Sequence, residues 1–139
     1  ALSRMSRIVL HMGGHGAGQT TKLCNQVMVM NTFATMAEML KLAENGGVDP
    51  TQIPDILAGG FASSRVLEIF GERMARRDHK VTGRLTVAQK DLNLILTAGK
   101  ETSTKLPMGD TASQLVHLAV ANGFGSQDIA NLIRVYDKV

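Results

Sequence analysis

The sequence predicts an all-α domain around one long central helix, preceded by a single short strand. Three observations carry this. From Ala17 to Asn45 there is no proline and, after Gly18, no glycine, and the run stops at Gly46-Gly47, a strong helix terminator. The rest of the chain is divided by capping residues and by Gly and Pro into further helix-length pieces. Only Arg7 to Met12 reads as a strand, a short β-branched and apolar run that ends at the glycine cluster Gly13, Gly14, Gly16 and Gly18.

The long helix would extend roughly 40 Å. Its middle is apolar on nearly every side, which predicts burial at the centre of the domain. Asp49-Pro50 opens a short second helix, with Asp as cap and Pro at the first position, and Gly59-Gly60 closes it. Ser63 or Ser64 opens a third that runs to about Arg77. Thr86 is the expected cap of a fourth, Leu85 to about Glu101. Pro107 and Gly109-Asp110 open a fifth that ends at Asn122-Gly123, and Ser126 caps a last one through Tyr136. Six helices and one strand result, with no internal repeat and no low-complexity tract.

Composition narrows the function classes. The chain has 139 residues, 44% apolar and 19% charged, with a net charge of +3, so a single globular domain is expected and disorder is not. Cys24 is the only cysteine, which excludes a disulfide scaffold and suits a reducing compartment; a cytoplasmic location is expected. The most apolar stretch, Val27 to Leu40, is interrupted by Asn31, Thr32, Thr35 and Glu38, so no membrane span is expected where roughly 20 apolar residues would be needed. Ala1 to Arg7 has no apolar run of signal-peptide length and no initiator methionine, and the chain reads as a fragment or processed piece. Arg73, Arg76, Arg77, Lys80 and Arg84 form a basic cluster that is either a nucleic-acid or phosphate contact or, with Glu72 and Asp78 beside it, a salt-bridged surface.

The chemistry gathers at the start of the long helix. The segment from Gly13 to Gln19 is glycine-rich, but Gln19 stands where a dinucleotide fingerprint needs its third glycine, and no Lys precedes a Ser or Thr as a Walker loop requires. Lys22 follows within two helical turns, where the positive end of the helix dipole disfavours a cation, and burial would disfavour it further. Asn25 and Gln26, three and four residues on, share its face. An ammonium and two amides at an anion-attracting helix end form either a site for a small hydroxy acid or a surface lysine with polar neighbours.

The stretch Gly16-Ala17-Gly18-Gln19-Thr20-Thr21-Lys22-Leu23-Cys24-Asn25-Gln26 resembles the G-x-G-x-x-x-K-x-x-N-[NQ] motif of the β-hydroxyacid dehydrogenases, which include 3-hydroxyisobutyrate dehydrogenase, tartronate semialdehyde reductase and, more distantly, 6-phosphogluconate dehydrogenase. Ala37-Glu38-Met39-Leu40-Lys41-Leu42-Ala43 followed by Gly47-Val48-Asp49-Pro50 resembles that family's A-E-A-x-x-L-A…G-[VL]-D-P, and Lys90-Asp91-Leu92 its K-D-L signature. The likeness extends from about Arg7 to the end.

The resemblance implies a two-domain enzyme of which this chain matches the helical C-terminal part. Residues 1–15 would be the end of a Rossmann domain that binds NAD or NADP, and residues 16–139 the catalytic, substrate-binding and oligomerisation domain, with the long helix between the two. It implies that Lys22 is the catalytic acid/base, that Gly18, Asn25 and Gln26 bind substrate, that Lys90 reaches the cofactor and that Asp91 orients or caps. The implied reaction interconverts a small 3-hydroxy acid and its semialdehyde, and the chain alone would be inactive and form a homo-oligomer, a dimer or tetramer.

Two departures bear on this. Val29 stands where the decarboxylating relatives carry a glutamate, so decarboxylation is not expected. Gly83-Arg84 replaces the family's Gly-Phe before K-D-L, leaving Arg84 either a ligand for a second carboxylate or phosphate, or a surface residue.

Other readings are plain. His11, His15, His79 and His117 are not taken as a metal set, and no metal is expected. Cys24 reads as a small buried residue, and the eight Met as core or subunit interface. Gln127 to Ile133 superficially matches part of a helix-turn-helix, but no recognition helix follows it, and no nucleic-acid partner is expected. The remaining alternative is a non-catalytic helical dimerisation module.

Overall fold

The computed structural model describes residues 13–138. The predicted strand, Arg7 to Met12, lies outside them. Five α-helices follow one another: α1 (Ala17–Asn45), α2 (Ile53–Leu57), α3 (Arg65–Ala75), α4 (Leu85–Glu101) and α5 (Pro107–Ala119). A π-helical turn, Val120–Phe124, and a 3-10 helix, Ile129–Lys138, complete the chain.

The 29-residue α1 is the axis, and α3, α4, α5 and the 3-10 helix all pack on it. It is buried on one face only, through Met30, Phe33, Met36, Ala37 and Leu40. This corrects the expectation of burial all round: Met28 and Leu42 are 70% and 75% exposed. The core opposite that face is built from Leu67 and Met74 of α3, Leu85, Leu92 and Ile95 of α4, Val116 of α5, and Leu132 and Ile133 of the 3-10 helix. Phe33 meets Phe70 edge-on, with ring centroids 4.9 Å apart.

Local signals explain most boundaries. Ser64 caps α3 by accepting the Leu67 N–H at 3.0 Å. Asp49 caps a turn, not α2 itself: its carboxylate accepts the Thr51 N–H at 2.9 Å, and α2 begins later, at Ile53. Thr86 is not the cap of α4. Arg84 holds that position with extended backbone and no side-chain bond. The first N–H groups of α4 are met instead by main-chain carbonyls, Leu85 N–H on Gln127 O at 3.0 Å and Thr86 N–H on Gly125 O at 3.1 Å. Nor does Ser126 cap the last helix. Asp128 does, accepting the Ala130 N–H at 3.0 Å.

Gly99 of α4 lets the α4–α5 turn close on the helix: a Cβ there would lie 2.8 Å from Leu106 Cδ1 and 3.0 Å from Thr104 O.

Candidate substrate and cofactor surface

The site is built on the exposed first half of α1 and on the middle of α4. Gly16, with φ 90°, turns the chain into α1, a backbone state that costs glycine little and other residues more. No side chain caps this end and no acidic residue lies in the first turn, so the positive end of the helix dipole is left without a negative side chain. Gly18 is exposed, and a Cβ built on it meets nothing within 4 Å. No packing among the described residues therefore demands a glycine there.

Lys22 and Asn25 are exposed and Gln26 is half-buried. The burial invoked for Lys22 is not supplied by this domain's own residues. Gln26 Nε2 donates to Asp91 Oδ2 at 2.8 Å, and Asn25 Nδ2 donates to Gln26 Oε1 at 3.3 Å. This contact joins the two motif segments, 65 residues apart, across the α1–α4 interface. Lys90, the residue before Asp91, is exposed on α4. Arg84 is exposed at the start of the same helix.

Cys24 is exposed, not buried, although Leu23 and Val27 on either side of it are half-buried against the core. With Leu23, Val27 and Ile95 it lines a cavity of about 160 Å³ between α1 and α4. The larger cavity of about 610 Å³ at the α4–α5 turn, between Lys100, Lys105 and Asp110, includes none of the predicted site residues.

Asp128 is the residue that sequence reasoning missed. Its side chain is fully buried and accepts the Thr82 N–H at 2.6 Å, the Thr82 hydroxyl at 2.9 Å, the Gly83 N–H at 2.9 Å and the Ala130 N–H at 3.0 Å. Arg73 Nη2 lies 3.3 Å from it. Burial pushes this carboxyl up, but the N–H donors of Gly83, Thr82 and Ala130 outweigh burial and hold it below the ordinary range. Asp128 thereby anchors the loop that launches α4 and its Lys90-Asp91 pair. The signal that could have found it is an Asp directly before an apolar helical run, a better cap than Ser126.

The basic cluster is largely paired. Arg73 meets Asp78 at 3.0 Å, Arg76 meets Glu72 at 2.8 Å, and Arg77 binds Glu44 and Asp137. Among the described residues, no group of three or more His, Cys, Asp or Glu is placed to hold a metal ion. No helix among them is long and apolar enough to cross a membrane.

The fold brings the Lys22–Gln26 segment of α1 against Asp91 of α4, and these two segments are the ones that resemble the motifs of the β-hydroxyacid dehydrogenases. A family model described as the NAD-binding domain of NADP-dependent 3-hydroxyisobutyrate dehydrogenase matches residues 16–136. The chain belongs to this family, the β-hydroxyacid dehydrogenases. It is 38% identical over 126 residues to 2-hydroxy-3-oxopropionate reductase of Escherichia coli (strain K12), covering 91% of this chain and 43% of that protein. It is 37% identical over 130 residues to a probable 3-hydroxyisobutyrate dehydrogenase-like protein of Arabidopsis thaliana, covering 91% and 42%. The fold matches that of a Mycobacterium tuberculosis 3-hydroxyisobutyrate dehydrogenase solved with L-serine, with TM-score 0.83 and 24% identity over 97% of this chain and 48% of that one. The chain thus spans a little under half the length of the relatives it matches.

Proposed function

We propose that this chain is the substrate-side domain of an NAD(P)-dependent dehydrogenase that interconverts a small 3-hydroxy acid and its semialdehyde, with Lys22 as the proton donor and acceptor. The observation that carries the reading is the Gln26–Asp91 bond, because it brings the segment bearing Lys22 and Asn25 together with the one bearing Lys90.

The chemistry follows from the residue types. A bound nicotinamide would supply the hydride donor or acceptor for the substrate carbon. In the reductive direction, negative charge develops on the substrate oxygen; the Lys22 ammonium neutralises it and supplies the proton, and in the oxidative direction the neutral amine removes the hydroxyl proton. Asn25 holds the substrate, and the uncapped start of α1 at Gly18 favours its carboxylate. Lys90 offers one cation to the cofactor.

The described residues contain no βαβ unit, so they offer a dinucleotide no strand–turn–helix seat for its pyrophosphate. The cofactor is therefore held mainly by a nucleotide-binding domain in the rest of a longer protein, to which residues 1–15 lead. The chain by itself is inactive. In the whole enzyme, Lys22→Ala lowers kcat by at least about 10²-fold, the scale for losing a general acid or base. A kcat within about threefold of the parent would remove Lys22 from this role.

A second reading, a helical dimerisation module, is favoured by the exposed apolar surface beside α1. Met28 and Phe61 are exposed there, and with Met36 and Met39 they line a cavity of about 390 Å³. The second reading places a second copy against this face. Light scattering on the chain at tens of micromolar tests assembly, and titration with NADH and NADPH tests whether the chain alone binds cofactor. A monomer would remove the second reading, and micromolar cofactor binding would overturn the division of labour above.

A further inference from the structure

We propose that α1 carries a second apolar seam on the side turned away from the core, and that a second copy of this chain pairs with it antiparallel, helix against helix, with Thr35 at the two-fold axis. The proposal rests on the second reading above in setting a copy of the chain against this face. Met28, Thr32, Thr35, Met39 and Leu42 follow one another at spacings of four and three residues in alternation, the repeat by which one helix seats on another. None of the five is charged. At about 100° per residue, this strip stands opposite the core-facing strip of Met30, Phe33, Ala37 and Leu40. Met28, Thr35 and Leu42 are exposed, and Thr32 and Met39 are half-buried. The threonines present their methyl groups, because their hydroxyls are spent on the helix itself. Thr32 Oγ1 donates to Met28 O at 2.7 Å and Thr35 Oγ1 to Asn31 O at 2.9 Å.

The face matches itself, and that identifies the occupant as a second copy. Turned end for end about Thr35, the strip sets Met28 against the partner's Leu42 and Met39 against the partner's Thr32. Large meets large at the ends and large meets small within, with the small Thr35 at the crossing, where two backbones come closest. Phe61 completes the match. It is fully exposed on the loop before α3, and it lines the same cavity as Met28, Thr32 and Met39. α3 runs beside α1 in the same direction, with Phe70 against Phe33 and Arg77 against Glu44, so the loop before α3 lies at the Met28 end of the strip. An antiparallel copy brings its own Leu42 to that end, and each Phe61 covers the partner's Leu42. A parallel copy leaves both leucines uncovered at the far end.

The area is of the size a stable dimer needs. Phe61 alone brings about 200 Å². Together with Met28 and Leu42 it supplies roughly half of the ~800 Å² that each partner of a stable interface covers. The pairing leaves the proposed site open, since Lys22 lies about a third of a turn round α1 from the strip and about 20 Å before Thr35 along the axis.

The test is sedimentation of the 139-residue chain and of the whole enzyme. The parent chain is expected to be a dimer at tens of micromolar. Thr35→Arg sets two guanidinium groups against each other on the axis and should weaken association at least about 100-fold. Residue 35 is exposed, so helix content by circular dichroism should not change. Met28→Glu and Leu42→Lys should each weaken association about tenfold. The double variant, Met28→Glu with Leu42→Lys, should associate more tightly than either single one, because residue 28 meets the partner's residue 42 and the new charges are opposite. In a parallel pair like charges would meet, and the double variant would be the weakest. In the whole enzyme Thr35→Arg should at least halve the mass of the assembly. A monomeric parent chain, or one that Thr35→Arg leaves dimeric, overturns the proposal and the second reading together. If Thr35→Arg gives a monomer but the double variant is weaker than both single ones, this face is an interface and the antiparallel pairing falls. A whole enzyme whose assembly ignores Thr35→Arg means that another part of the longer protein occupies the strip, which also overturns the proposal. Should Thr35→Arg lose helix, the charge-exchange variants decide alone.

Discussion

Arg77 reaches Glu44 with two guanidinium nitrogens, at 2.5 and 3.0 Å, from a backbone position with φ 49°. The left-handed turn belongs to the end of α3, where Asp78 N–H returns to Arg73 O at 2.9 Å and Arg77 N–H to Met74 O at 3.0 Å. Such a turn favours glycine. An arginine stands there because its side chain also reaches Asp137, fastening the end of α1, the end of α3 and the 3-10 helix together. Arg77→Gly relieves strain of about 1 kcal/mol but leaves Glu44 and Asp137 to share Lys41 as their remaining cation. A net loss of about 1–3 kcal/mol in urea unfolding is expected. A more stable variant would mean that the strain outweighs the ion pairs.

The same cluster makes stability depend on pH. The hydrogen bond from Arg77, aided by Lys41, holds the Asp137 carboxyl down at about 2, and Arg77 likewise lowers Glu44. A carboxyl depressed in the folded state stabilises it above the unfolded value of about 4 and loses that contribution as pH falls through its folded value. The melting-temperature gap between the parent and Asp137→Asn should be full at pH 6–7 and close as pH 2 is approached. A gap that is constant from pH 7 to 2 would contradict the assignment.

Asp128→Ala strands the N–H groups of Thr82, Gly83 and Ala130 and leaves Arg73 with one carboxylate fewer. Removing one side of such a buried cluster costs about 3–5 kcal/mol. Hydrogen exchange should accelerate first at residues 82–86, where Asp128 ties the chain to α4. Uniform acceleration over the whole domain would argue against a local anchor.

Gly18→Ala separates binding from folding. With open space around the new methyl group and a helical position to occupy, stability should stay level or rise by up to about 1 kcal/mol. In the whole enzyme the methyl group crowds the ligand, and KM should rise several-fold. An unchanged KM would show that nothing approaches α1 at this point.

Legibility followed how local the physics was. The bounds of α1, the Ser64 cap and the proline start of α5 rest on neighbours within one turn, and the residues announce them. The bounds of α4 are legible too, but what satisfies its first donors is not, because the Gly125–Gln127 carbonyls lie some 40 residues on. The exposure of Cys24 is hidden for a similar reason: helical periodicity gives a face but not how far along α1 the core extends. Lys22, Asn25, Gln26 and Lys90 are legible as a motif. Their joining through Gln26 and Asp91 needs the fold.

The burial pattern of α1 has an evolutionary consequence. Every fully buried residue of the helix lies at Met30 or beyond, whereas the proposed ligand-facing residues lie at Gln26 or before. Mutations that retune which acid is accepted fall where few of them disturb folding, and mutations that drift within the core fall where few of them alter chemistry. One continuous helix is in effect two independently selectable segments, a robust one and an adaptable one. Descendants of this scaffold can diversify in specificity without first accumulating compensating changes in the core.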